Sequence, residues 1–457
     1  MKNLEEQSIT ENRRIGLNFL GILNDIKRRP EDAAVELGVT TQEINEIISG
    51  EKELSFELVK RATEIWPLNF RDFFLISDDT VNGVKIMRQQ DSEKSKRTML
   101  RAEKPYYEYR DTAMSRVALF RPEWIEELCI VDDNDPENSS AQWNDGHFMH
   151  QFTYFIGDVN YYYKGPDGEK KIAVTKTGDS VYGTPFRPHT FTTRHGAIKN
   201  GLILALTYGN KLAADTQQEL AAIGGELGIQ FHLDFSTRGK AFSSLLKFYI
   251  DASSLTITEL SRRTDISQNK LDDYTNNPSS LPSIDEIKKI ATALNIQTRD
   301  LFPPDEIEEK VLVRNYDDAP RWFFPDTTKM YELVELVNSK NLPDSKALEL
   351  TVYSDKLDET LDLKMGLHQY VYNVGKTPVL LNWEYDQKKH SDVINPGDSI
   401  YIKPFVPHNF RQKGKLLILR IGSRITGDAQ REFSCFDKND AKRAIQETQM
   451  WFDPKGK

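Results

Sequence analysis

Little in this sequence of 457 residues can cross-link it: cysteine occurs twice, at Cys129 and Cys435, far apart. That excludes a disulfide scaffold and a thiolate metal cluster, and it fits a reducing compartment. Long apolar runs are also lacking. No stretch approaches the ~18 uninterrupted apolar residues of a membrane span. The opening MKNLEEQSITENRR has no apolar run, so no signal peptide is expected, and the protein is expected in the cytoplasm. Positive charge is in deficit: 60 Lys and Arg face 70 Asp and Glu, a formal charge of −10. Affinity for nucleic acid through bulk positive charge is not expected of such a chain.

Aromatic residues are plentiful. Eighteen Tyr and 23 Phe favour half-buried strands and point to large sheets. The length suggests about three domains, or two larger ones.

The chain repeats itself. GDSVYGTPFRPHTF at 178–191 returns as GDSIYIKPFVPHNF at 397–410, a shift of 219 residues. Ahead of each copy lies a helical pattern, at 31–74 and at 256–302, each ending in Arg-Asp, one residue, then Phe. Ala33, Ala34, Leu37, Ile44, Ile47 and Ile48 have helical spacing within two short helices. Thr258 marks a region that starts a helix in the second copy. The shape is helix-turn-helix. The expected order is a helical domain at 1–84, a sheet domain at 85–215, a linker with a second helical domain at 216–305, and a second sheet domain with a charged tail at 306–457.

Residues 1–80 hold 10 basic against 16 acidic side chains, and residues 246–305 hold 7 against 9. Excess carboxylate opposes approach to phosphates, so nucleic acid is expected to be an unlikely partner, and a structural or oligomerising role is preferred for both modules. Lys27, Arg28 and Arg29 form a local basic cluster, which reads either as a solvated face or as a cation reaching an anionic ligand.

The sheet domains read as all-β. Phe152, Tyr154 and Ile156 alternate, and Pro166-Asp167-Gly168 marks a turn between two strands. Short strands joined by Gly and Pro turns suggest a sandwich or barrel.

Eight histidines are present, four of them in the first sheet domain. In a strand, His147, Met149 and Gln151 share one face, and His150 and Phe152 the other. A barrel would bring His147 and Gln151 together with His189 from the repeated motif: two imidazoles and one amide. Imidazole suits iron, zinc, nickel and copper, and the ordinary mononuclear iron site adds a carboxylate. Position 151 holds an amide instead. Asp179 is the obvious carboxylate, but Gly-Asp-Ser is a turn that recurs at 397–399. Arg101, Tyr107, Tyr109, Arg110, Asn144 and Arg187 concentrate around these positions and are the donors that hold a small oxyanion. In the second sheet domain His408 is kept and Gln369 matches Gln151. Met365 or Leu367, depending on the alignment, stands where His147 does. That copy is expected to have lost its metal and to be structural.

The pieces PYYEYRDT at 105–112, NDGH at 144–147, PFRPH at 185–189 and Lys27 resemble the iron-dependent phosphonate oxygenases of the hydroxyethylphosphonate dioxygenase-like cupin family. The resemblance covers essentially the whole chain. It implies a mainly β fold with helical modules, a tandem repeat of helix-turn-helix domain and cupin (double-stranded β-helix) barrel. It implies Fe(II) held by His147, Gln151 and His189, and no organic cofactor. It implies a phosphonate held by Arg101, Tyr107, Tyr109, Asn144 and Lys27, with Arg187 as an extra contact and Lys27, Tyr109 and Asn144 as catalytic residues. Lys27 would come from a neighbouring subunit of a homo-oligomer. The glutamate that some members carry at the position of Gln151, or of Gly183, is absent. That places the chain with the methylphosphonate-forming branch. The implied reaction is cleavage of 2-hydroxyethylphosphonate by O2 to methylphosphonate and carbon dioxide. The alternative outcome is hydroxymethylphosphonate and formate.

Overall fold

Capped short helices build both helical segments. The first has Glu11–Asp25, Pro30–Leu37, Thr41–Ser49 and Phe56–Ile65. Thr40 and Ser55 accept from the backbone N–H three residues on, and Gly38 and Gly50 close helices in the left-handed conformation. The predicted stripe is buried at Ala33, Ala34, Leu37, Ile44 and Ile47, against Phe19, Leu23 and Val59. The second segment has Arg238–Ser253, Ile257–Thr264, Gln268–Asn276 and Ile284–Leu294 around Phe242, Leu246, Leu260, Leu271 and Ile290. Its second helix is capped by Thr256; Thr258 is the second residue of that helix.

The structure, a computed structural model, describes residues 11–209, 212, 214–303, 311–353 and 360–445. The chain divides into two units, Met1–Tyr208 with Val311–Lys457, and Gly209–Lys310. The architecture is mixed: helix-turn-helix-like regions and large antiparallel sheets. No helix among the described residues is long and apolar enough to cross a membrane.

The larger unit holds four sheets, two of them seven-stranded. The first large sheet runs, in spatial order, Val311–Arg314, Ser180–Gly183, His150–Ile156, Gly201–Tyr208, Glu123–Glu127, Lys104–Asp111 and Arg97–Arg101. A smaller sheet of Ile130–Val131, His189–Arg194, Val159–Lys164 and Lys170–Thr175 accompanies it. Pro166-Asp167-Gly168 turns the last two strands into a hairpin, with Tyr163 opposite Lys171. The second large sheet runs Val84–Met87, Ser399–Ile402, His368–Asn373, Gly414–Ile421, Ser345–Val352, Tyr331–Glu335 and Arg321–Phe324. Its companion is Lys388–Ile394, Val379–Tyr385 and His408–Arg411. The repeat in sequence is thus a repeat in strand order.

The copies exchange edge strands. Val84–Met87 pairs with Ser399–Ile402, and Val311–Arg314 pairs with Ser180–Gly183. Each stretch expected to form one sheet domain therefore lends a strand to the other copy. Period-two patterning identifies such strands but carries no information about which edge they cover.

Alternation also sorts the two faces of each large sheet. Phe152, Tyr154, Tyr182, Leu204 and Leu206 meet Tyr370, Tyr372, Tyr401, Leu417 and Leu419, so the two large sheets pack back to back. His150 lies on that face and hydrogen-bonds the Tyr182 hydroxyl at 2.6 Å; His368 does the same with Tyr401. The opposite face of the first sheet, with Phe155, Val181 and Ile203, packs in a separate core with Phe191 of the companion sheet. Gln151 and Thr153 are on this inner face.

Candidate active site

The inner face of the first large sheet opens into a cavity of about 170 Å³ lined by Arg101, Tyr107, Tyr109, Asn144, His147, Gln151 and His189. A recess beside it adds Arg187, Gly183 and Tyr161. The structure thus brings together the predicted site residues with the exception of Lys27 and Arg110. Lys27 lies in the left-handed turn after the first helix, is exposed, and gives its ammonium to the Asp25 carbonyl. Arg110 points to the other face of its strand and pairs with Glu93.

His147 sits in the loop before the strand His150–Ile156, and Gly146 makes the loop possible. Its φ is +78°, and a Cβ there would meet the Phe186 backbone at 2.6 Å. The two imidazoles stand edge to face with ring centroids 5.2 Å apart. Each is oriented in the same way: Nδ1 of His147 bonds the Met149 carbonyl at 2.8 Å, and Nδ1 of His189 bonds the Arg187 carbonyl at 2.8 Å. Donation from Nδ1 leaves an Nε2 lone pair turned to the cavity, the tautomer a metal ligand needs. Burial pushes the His189 imidazole down to about 4, which keeps it neutral near pH 7.

Gln151 supplies the decisive geometry. Its Nε2 donates to Thr153 Oγ1 at 2.9 Å, which turns Oε1 toward His147 Nε2 at 2.7 Å. With one proton already given to Met149, a neutral His147 and the amide oxygen present two lone pairs to each other. A cation beside them removes that conflict. Among the described residues no cluster of three His, Cys, Asp or Glu side chains exists to hold a metal. Two imidazoles and an amide oxygen, by contrast, make a donor set that iron accepts. Asp179 is not part of it: its carboxylate accepts from the Lys176 and Tyr316 backbone N–H groups, the turn role expected.

The rest of the cavity is a cationic cradle. The Arg101 guanidinium lies 4.9 Å from the Tyr107 ring centre and 5.3 Å from that of Tyr106, and donates to the Gln142 carbonyl. The Tyr107 hydroxyl is held by Thr190, and burial keeps it protonated. Burial raises Tyr109 to about 12, so it also offers a donor. Asn144 Oδ1 accepts from the His189 and Gly146 backbone, which aims its Nδ2 at His189 Nε2, 3.2 Å away. Among the described residues Arg187 Nε is buried without a partner. Sequence reasoning missed Arg121 and Thr207, which also line the cavity. The alternation of Arg121, Glu123 and Ile125 was the available signal for the first. Behind the cradle, Glu127 is fully buried, both carboxylate oxygens are without a hydrogen-bond partner among the described residues, and burial pushes its carboxyl well up.

The methylphosphonate synthase of Nitrosopumilus maritimus (strain SCM1) is 57% identical over 443 residues, 97% of this chain and 96% of the relative. The chain belongs to the methylphosphonate synthase family. Among solved structures, a Streptomyces albus HEPD with 2-hydroxyethylphosphonate and Fe(II) bound superposes with a TM-score of 0.87 at 35% identity, over 96% of this chain and 99% of that one. PhpD with cadmium and its phosphonate ligand superposes at 0.72 and 18% identity, over 95% and 99%, a likeness of fold. Residues 245–305 of this chain match the Cro/C1-type helix-turn-helix DNA-binding domain. That match overturns the expectation that nucleic acid is an unlikely partner. Net charge sums over a module without locating its charges. Glu259 is neutralised by Arg262 and Arg263, and the helix Gln268–Asn276 exposes Gln268, Asn269 and Lys270.

Proposed function

We propose that the cavity is the active centre of a methylphosphonate synthase, which cleaves 2-hydroxyethylphosphonate with Fe(II) and O2. The convergence of His147 Nε2 and Gln151 Oε1 beside His189, with an amide where a carboxylate is usual, carries this reading. Each large sheet and its companion is read as one double-stranded β-helix, so the chain is a tandem of helical domain and cupin. The division is taken at 1–84, 85–215, 216–305 and 306–457, with Val84–Met87 and Val311–Arg314 crossing between the sheets.

His147, Gln151 and His189 would hold Fe(II), which when bound would supply oxygen activation. The chain's own residues do the remainder. Arg101, fixed by its two tyrosines, offers a planar fork to the phosphonate oxygens. Tyr109 and Asn144 donate to the same group and set which carbon faces the metal side. Tyr107 braces Arg101, and Arg187 closes the recess behind Gly183. Lys27 stands outside this set. The apolar walls, Ile125, Phe191 and Ala205, limit water around the reacting carbons. The C–C bond breaks, the hydroxyl-bearing carbon gives one hydrogen to the phosphonate carbon and leaves as carbon dioxide, and O2 takes four electrons from the substrate, one of its oxygen atoms going to carbon dioxide and the other to a single water. No 2-oxoglutarate or reductase is needed for that balance.

The test is anaerobic loading with Fe(II) and 2-hydroxyethylphosphonate, then O2, with the product read by phosphorus NMR. Methylphosphonate is expected; hydroxymethylphosphonate with formate sinks the assignment. Gln151→Glu run alongside adds one negative charge at the metal. It is expected to tighten Fe(II) binding on the order of tenfold or more and to lower the methylphosphonate fraction. An unchanged fraction removes ligand charge as the determinant of product.

A further inference from the structure

The second large sheet keeps a site at the place where the first has its metal donors, with one exchange that changes its sign. His147 accepts the Phe186 N–H on its carbonyl at 2.8 Å, and Met365 accepts that of Phe405 at 2.8 Å. Phe186 and Phe405 share the same left-handed turn, with φ of 59° and 62°. Met365, rather than Leu367, is therefore the counterpart of His147. Leu363 stands for Asn144: each gives its backbone N–H to the carbonyl of the histidine of its motif, and that histidine's own N–H goes to the Leu363 carbonyl in the second copy and to Asn144 Oδ1 in the first. His408 repeats His189, its Nδ1 bonded to the Val406 carbonyl at 2.8 Å. Gln369 repeats Gln151, and opposite it on the neighbouring strand stands Arg420, where the first sheet has Thr207 opposite Gln151. Ile402 replaces Gly183.

Arg420 thus projects onto the inner face beside Leu416 and Ile418, both fully buried. Its Nε reaches Gln369 Oε1 at 3.4 Å, and Gln369 Nε2 lies 3.5 Å from His408 Nε2. Among the described residues no carboxylate pairs with it, and no other acceptor takes its N–H groups. The neighbouring Arg411 shows the ordinary solution, with Asp362, the Tyr331 hydroxyl and backbone carbonyls around it. Burial pushes the Arg420 guanidinium down to about 10, which still leaves a cation near pH 7. An unpaired cation on an apolar face is costly, and a bound counter-charge offsets the cost.

We propose that Arg420, Gln369 and His408 form an anion site in the second sheet, and that its ligand is a small planar carboxylate. The guanidinium lies beside Gln369, as a metal held by His147, Gln151 and His189 would lie beside Gln151 in the first copy. Its fork matches two coplanar oxygens. The Gln369 amide supplies a further donor, and Ile402, with a side chain where Gly183 has none, favours a ligand of few atoms. The site stands whether or not the first cavity holds iron.

The test uses the iron-free full-length protein, thermally unfolded across a formate series at constant ionic strength. Arg101→Met is present throughout to silence the guanidinium of the first cavity. The midpoint of that variant is expected to climb with formate by several degrees and to saturate. Adding Arg420→Met is expected to abolish the climb while leaving the formate-free midpoint equal or higher, because an unpaired charge is removed. Arg420→Lys, which keeps the charge without the fork, is expected to climb less. An equal climb with and without Arg420→Met overturns the site. So does the absence of any climb while Arg420 is present. An undiminished climb in Arg420→Lys overturns the planar, two-oxygen ligand.

Discussion

Glu127 shows how far a single residue can depart from its ordinary chemistry. Its carboxyl is fully buried, neither oxygen has a hydrogen-bond partner among the described residues, and burial raises it well above the usual carboxylate range. Below about pH 4 both folded and unfolded chains hold this proton. As pH rises the unfolded carboxyl ionises and the folded one does not, so the unfolded state binds fewer protons and stability falls. The contribution is complete at low pH and is lost progressively up to the raised folded value. Glu127→Gln is expected to lose this slope. Urea midpoints of variant and parent should agree near pH 4 and separate toward pH 8, with the variant the more stable. Parallel profiles would mean that the carboxyl is ionised in the folded chain. His147, Gln151 and His189 were legible at this scale by residue type, but the expected strand spacing does not hold for His147, which lies in the loop before the strand His150–Ile156. The orientation of Gln151 was not legible, since it depends on Thr153 Oγ1 and on where the amide nitrogen can go.

At the scale of elements, the loop 144–147 positions the chemistry. Asn144 accepts two backbone N–H groups, Gly146 takes a left-handed φ against the Phe186–Arg187 backbone, and His147 follows at once. Gly146→Ala brings a Cβ within 2.6 Å of backbone and adds an unfavourable φ. It is expected to cost about 1–3 kcal/mol of stability. It should also weaken Fe(II) binding more than that loss alone would, because His147 moves with the loop. Urea unfolding and metal titration on the same preparation separate the two effects. The helical segments were read correctly as short helices at the stripe positions, yet net charge misjudged one of them. Recognition depends on which side chains an exposed helix presents, and Gln268 and Asn269 carry no charge to count.

For the whole molecule, the exchange of edge strands ties the two halves of the larger unit. Val311–Arg314 covers the edge next to Gly183, and Gly183 lies opposite Gln151. A chain ending at residue 305 is therefore expected to expose that edge and to fail as a substrate-binding protein. Supplying residues 306–457 as a second polypeptide should recover binding in part. Substrate titration by calorimetry checks it, and full binding by the first fragment alone would show that the exchanged strand is dispensable. The sequence by itself determined the doubled plan, the alternating faces, the histidines and the glutamine, because periodicity and repetition are local properties of the chain. Only tertiary structure decided which edge each exchanged strand covers, that Met365 is the counterpart of His147, and that Arg420 stands opposite Gln369. Those facts rest on pairing between residues distant in sequence, and spacing along one strand does not encode its partner.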